Sequence, residues 1–135
     1  MNLIASFIIP ISGGILLFAC NHKSKTNPIV GKWQFEKAEN KDKTEKDVYD
    51  INKRSEGVVA TFYDDRTFVS IKKRDNYTDT LAKGTYEMSQ DGKFLLTQEP
   101  DKSEPDTVKI IEVTDKILKV HPPGEKDILI LKRIH

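Results

Sequence analysis

From Pro28 onward, apolar and polar residues alternate in short runs separated by turn residues, the pattern of half-buried strands and not of helices. The spacing predicts eight strands, at Ile29–Lys37, Gly57–Tyr63, Thr67–Lys73, Leu81–Met88, Lys93–Glu99, Asp106–Val113, Ile117–His121 and Asp127–Ile134. In the first, Ile29, Gly31, Trp33 and Phe35 share one face and Lys32, Gln34 and Glu36 the other; in the second, Val58, Ala60 and Phe62 share a face. Asp64-Asp65-Arg66 and Ser89-Gln90-Asp91-Gly92 read as hairpin corners, since Asp bonds to its own backbone and Gly accepts a positive φ. The links at Thr114-Asp115-Lys116 and Pro122-Pro123-Gly124-Glu125 are short enough to join only antiparallel neighbours. Ala38–Ser55 breaks the rhythm with a run of charges, and reads as a solvated loop or a short helix across one end, pinned by Val48, Tyr49 and Ile51. A meander of eight short strands must hide one face and deal with its edges, and rolling up until the last strand meets the first does both. The expected fold is therefore all-β, a small eight-stranded antiparallel up-and-down barrel over residues 29–135, with a two-layer sandwich as the rival.

The first part of the chain is of another kind. No Asp, Glu, Lys or Arg precedes Lys23, and Leu3–Ala19 is apolar but broken by Pro10 and the Gly13-Gly14 pair. A spanning helix wants about 20 apolar residues. The stretch is shorter and carries helix breakers, so it reads as the apolar core of a secretory signal occupying residues 1–19, an uncleaved membrane helix being the alternative. Leu17-Phe18-Ala19-Cys20 resembles the lipobox of bacterial lipoproteins, which implies a diacylglyceryl thioether on Cys20 and a mature chain beginning there. Cys20 is the sole cysteine, and acylation accounts for an unpaired thiol in an exported protein without a disulfide or metal. Two acyl chains hold firmly, because each buried methylene contributes about 0.8 kcal/mol. Residues 20–28 are polar and serve as a tether. The resemblance places the protein in the bacterial cell envelope, lipid-anchored in the outer membrane and facing the periplasm, with the membrane as its first partner.

Composition and charge narrow the chemistry. Over 135 residues, 22 basic and 21 acidic side chains leave a net charge of +1, which argues against a nucleic-acid partner. Nucleophilic catalysis needs a nucleophile, a base and a group that orients the base. Of the histidines, His22 lies in the tether, His135 ends the chain and His121 precedes a Pro-Pro turn. No H-x-x-x-H or C-x-x-C spacing offers a metal site, no Gly-rich phosphate loop occurs, and Asp64-Asp65 sit in a wet turn. Asn76-Tyr77-Thr78 fits the N-glycosylation pattern by chance if the cell is bacterial. The expectation is a monomer with no enzyme activity, no metal and no cofactor beyond the lipid on Cys20.

Gly31-Lys32-Trp33 on the first strand resembles the G-x-W signature of lipocalins. Phe62-Tyr63-Asp64-Asp65-Arg66-Thr67-Phe68, Gly84-Thr85-Tyr86 and Leu131-Lys132-Arg133-Ile134 resemble bacterial lipocalin-like lipoprotein domains. The resemblance runs from Ile29 to His135. It implies that Gly31, Trp33 and Arg133 are structural, with the tryptophan across the barrel floor and the guanidinium stacked on it. It departs at Arg66, where a glycine is usual. It also implies a small apolar ligand inside the barrel, contacted by Trp33, Phe35, Phe62, Phe68, Tyr86 and Phe94, unless those rings simply fill the core. The second reading is a periplasm-facing module that binds an envelope protein as an inhibitor, immunity or assembly factor. Its motive is Ile128-Leu129-Ile130-Leu131, apolar on both phases, which leaves an exposed apolar patch unless something covers it.

Overall fold

The computed structural model describes residues 27–40, 42 and 44–135, so the leader, Cys20 and the start of the tether lie outside the described residues. Among the described residues there are eight strands: β1 (Gly31–Glu39), β2 (Val58–Phe62), β3 (Thr67–Lys73), β4 (Thr78–Met88), β5 (Phe94–Gln98), β6 (Asp106–Val113), β7 (Ile117–His121) and β8 (Ile128–Ile134). One helix, α1 (Glu45–Ser55), separates β1 from β2. Each strand pairs antiparallel with the next and β1 pairs with β8, giving a closed up-and-down barrel and excluding the sandwich.

The strands start and stop for local reasons. Ile29 is held out of β1 by a turn in which its N–H donates to Asn27 Oδ1 at 3.1 Å and Val30 N donates to Asn27 O at 3.1 Å. At its far end β1 runs past a bulge between Phe35 and Lys37, which turns Ala38 inward. β4 begins three residues earlier than its apolar run, because Thr78, Asp79 and Thr80 pair with Lys73, Lys72 and Ile71 beyond a register shift that leaves Leu81 unpaired. Its ladder with β5 stops at Thr85–Gln98. Two residues on, Pro100 has no N–H to donate, and Gly84 marks the close approach: a Cβ there would lie 1.9 Å from Gln98 O.

Alternate residues fill the interior. Ile29, Trp33, Phe62, Phe68, Tyr86, Leu95, Ile110, Leu118, Val120 and Leu131 form one buried cluster. Phe35, Ala38 and Ile51 form a second, with Val58 and Leu129 packed against it, so α1 is seated on the barrel through Ile51. The charged segment is thus partly helical. Thr44 caps it, its Oγ1 accepting from Asp47 N at 3.3 Å and donating to Asp47 Oδ2 at 2.6 Å, and Lys53 and Arg54 occupy the last turn, where the helix dipole favours cations. Of the expected pins Ile51 is buried and Val48 half-buried, and the side chain of Tyr49 lies outside the described residues.

β8 does not present the apolar patch that its sequence suggests. Leu129 and Leu131 point inward, and outward Ile130 is only 4% exposed. Its cross-strand neighbours are Lys37 on β1 and Lys119 on β7, each in an ion pair at 3.6 Å, with Glu39 and Glu112. Their aliphatic stems are placed to cover it while the ammonium groups stay in water.

Candidate ligand site at the mouth of the barrel

Because the chain alternates direction, one end of the barrel carries the start of β1, the turns at 63–66, 89–93 and 114–116, and the end of β8. The other carries α1 and the loops at 74–77, 99–105 and 122–127. The two ends differ in chemistry.

The first end is a sealed floor. Trp33 is fully buried, and its Nε1 donates to Ile29 O at 2.8 Å, satisfying the one polar atom of the ring. Arg133, opposite Trp33 in the β1–β8 register, sets its Cζ 4.2 Å from the ring centroid. The guanidinium donates to Val30 O at 2.7 Å, Pro28 O at 2.9 Å and Asp115 O at 2.7 Å, tying the chain's approach to β1 and the β6–β7 turn to β8. Gly31 is required twice over: its φ is 136°, and a Cβ there would stand 2.3 Å from Arg133 Nη1. In the same cluster as Trp33, Phe62 stacks on Phe68 at 6.0 Å and meets Tyr86 edge-on at 5.1 Å. The Tyr86 hydroxyl donates to Tyr63 O at 2.5 Å, and burial, then the Asp64 and Asp65 carboxylates, push its pKa up.

The mouth is looser. Two residues further toward this end than Phe62 and Phe68, and in register with Trp33, the cross-strand row Ala60, Ser70 and Ala82 is made of small side chains, all half-buried. Helix α1 lies over this end, held by Ile51, by Ala38 N donating to Asn52 Oδ1 at 2.7 Å, and by Lys72 Nζ donating to Arg54 O. Between α1 and the β7–β8 loop is a depression of about 260 Å³, floored by Ile51, Leu129 and Pro122 and rimmed by Arg54, Ser55, Glu125 and Asp127. Asp127 is buried and accepts from Asn40 Nδ2 at 2.9 Å, which fastens the end of β1 to the start of β8 beneath the helix.

A sequence profile described as a lipocalin-like domain matches residues 29–120. The chain belongs to the lipocalin-like domain family. Its fold is shared by a lipocalin-like protein from Bacteroides uniformis ATCC 8492, 18% identical, with a TM-score of 0.60 over 80% of this chain and 100% of that one. A DUF4847 family protein from Bacteroides vulgatus ATCC 8482 is 14% identical, with a TM-score of 0.50 over 77% and 92% of the respective chains. No curated protein matches the sequence. Lipocalin-like domains are typically non-enzymatic binding barrels.

Within this lipocalin-like barrel the six rings expected to line a ligand divide into three groups. Trp33, Phe62, Phe68 and Tyr86 pack together as the floor cluster. Phe35 faces the mouth cluster instead. Phe94 faces outward and is 39% exposed, a correction to the expected interior set. The run Phe94-Leu95-Leu96 is apolar on both phases and does not set its own register; pairing of Leu95 with Met88, which packs on the core, puts Leu95 inside and Phe94 out. Asn52 and Asp127, which position the helix and the rim, carried no signal in the sequence beyond their polarity. Among the described residues no cluster of His, Cys, Asp and Glu is arranged to hold a metal, and no helix is long and apolar enough to cross a membrane.

Proposed function

We propose that this lipocalin-like protein is a lipid-anchored binding protein of the bacterial envelope that takes a small apolar ligand at the mouth of its barrel, without catalysis. In this reading Cys20 carries the diacylglyceryl anchor in the outer membrane and the domain faces the periplasm as a monomer. The observation that carries it is the contrast between the ends: the floor is packed and hydrogen-bonded shut, whereas the mouth is closed by a helix seated on one buried apolar residue above a row of small side chains. A ligand therefore lies nearer Ile51, Leu129, Phe35 and Ala82 than Trp33. The exposed apolar β8 that motivated a protein-binding module is absent, since no large apolar residue of that strand is exposed.

The test is native mass spectrometry of protein purified from its own membrane, together with titration of the neutral fluorophore 1-aminoanthracene. A co-purifying apolar mass is expected. Ile51→Ala should tighten fluorophore binding by roughly tenfold, within the roughly 1–3 kcal/mol that a methylene-scale change in a pocket is worth, and Ala82→Leu should abolish it. Failure of wild type and Ile51→Ala alike to bind, with no co-purifying mass, overturns the proposal. A bare thiol on an uncleaved chain overturns the anchor alone.

A further inference from the structure

Resting on the binding role of the mouth, we propose that its ligand is a zwitterion, a free α-amino acid with a bulky apolar side chain. The depression between α1 and the β7–β8 loop sets an apolar floor, Ile51, Leu129 and Pro122, beneath a rim that carries opposite charges on its two walls. Arg54 stands on the helix side and Glu125 on the loop side. Among the described residues neither side chain takes part in an ion pair. Arg54 Nε makes one long bond within its own helix, to Asp50 O at 3.4 Å, and the Nη atoms are left over; the Glu125 carboxylate accepts from no described group. Asp127, the other acid on the rim, is 3% exposed and already accepts from Asn40 Nδ2. The rim therefore offers a guest one guanidinium and one carboxylate.

Both charges stand on fixed backbone. Lys72 Nζ donates to Arg54 O, which ties the last turn of the helix to β3. Glu125 closes a turn in which its N donates to Pro122 O at 3.4 Å and its carbonyl accepts from His121 Nε2, while Gly124 takes a φ of 74°. Pro122 and Pro123 fix φ on the approach to that turn. A guanidinium presents a planar fork of donors that matches a carboxylate, and a carboxylate accepts charge-assisted bonds from an ammonium group. In an α-amino acid both groups and the side chain leave one carbon, so the head can span the rim while the side chain descends onto Ile51 and Leu129. A fatty acid satisfies Arg54 and faces Glu125 with like charge, an amine does the reverse, and an uncharged guest covers both groups without replacing their water. The depression, about 260 Å³, falls just short of the roughly 300–1,000 Å³ that holds a drug-sized molecule, which suits one amino acid and is too small for a two-chain lipid.

The full chain in nanodiscs of phosphatidylglycerol, a lipid without an ammonium group, is titrated with phenylalanine, phenethylamine and 3-phenylpropionate. The three share an apolar body and carry both charges, the ammonium alone or the carboxylate alone. Amide NMR shifts are expected at residues 51–55 and 122–129, with phenylalanine bound about tenfold more tightly than either analogue. Arg54→Gln should remove the advantage of phenylalanine over phenethylamine, and Glu125→Gln its advantage over 3-phenylpropionate, selective losses that a merely structural role would not produce. Equal affinity for the three compounds overturns the proposal, as does a preference that both variants leave intact. Binding of 1-aminoanthracene with no response to phenylalanine overturns the zwitterion and leaves the apolar mouth standing, whereas failure of both probes removes the binding role as well.

Discussion

Arg66 occupies the corner between β2 and β3 with a φ of 71°, a conformation that costs an L-residue with a Cβ roughly 1–2 kcal/mol. The turn holds it there through Arg66 N donating to Tyr63 O at 3.2 Å and Tyr63 N donating to Thr67 O at 2.9 Å. Arg66→Gly removes that strain, less the extra freedom glycine brings to the unfolded chain, so a gain of up to about 1 kcal/mol in urea denaturation is expected. The next residue back has a different signature. Asp65 Oδ1 accepts from Thr67 Oγ1 at 2.6 Å and Thr67 N at 3.0 Å, and these bonds hold its carboxyl below the usual carboxylate range. Asp91 does the same at the β4–β5 corner with Ser89 and Lys93. A depressed folded pKa contributes stability that is present above the unfolded value and is lost as pH falls through the folded one. Both corners should therefore loosen below about pH 4, and Asp65→Asn should flatten that part of the acid-denaturation curve. These corners were readable in the sequence because Asp and Gly declare turns locally. The departure from glycine at Arg66 changed the residue and left the backbone conformation as it was.

At the level of elements, strand position was legible to within three residues because each strand carries its own alternation, and β3, β6 and β7 have the bounds their apolar runs imply. What the pattern lacked was phase in the segments apolar on both faces. Phe94 was expected inside and lies outside, and Ile130 lies outside yet covered, since each outcome is set by the neighbouring strand's register. Over α1 the sequence does not distinguish loop from helix, because its apolar content is low and its seating depends on partners far along the chain. Its bond from Asn52 to Ala38 N spans fourteen positions. Asn52→Ala leaves that buried donor unpaired, a loss of about 1–3 kcal/mol. The expected readout is faster amide exchange through Glu45–Ser55 with the strands unchanged, and uniform loss of protection across the barrel would instead show that helix and barrel unfold together.

For the whole molecule, the floor decides whether there is a barrel at all. Trp33, Gly31 and Arg133 join the first strand, the last strand and the β6–β7 turn, so they close the cylinder at the seam between β1 and β8. Trp33→Ala should cost about 3–5 kcal/mol, and Gly31→Ala about 2 kcal/mol or more through its positive φ and the displaced guanidinium. Arg133→Lys keeps the charge but forfeits the planar fork, so thermal denaturation should place it between wild type and Trp33→Ala. This trio was legible from the G-x-W resemblance. The mouth was not, because it is assembled from Phe35, Ile51, Val58 and Leu129, which no local spacing connects.

The mismatch in length between β4 and β5 has a last consequence. Tyr86 N donates toward β3, to Arg66 O at 2.9 Å, so the amides of Lys83 and Thr85 point toward β5, whose ladder with β4 ends at Gln98. Over its upper half the fourth strand is therefore paired on one side only, with β3, and on the other side it borders a depression of about 330 Å³ lined by Leu81, Ala82 and Pro100. With one ladder where its neighbours have two, that stretch is the part of the wall whose amides should exchange first.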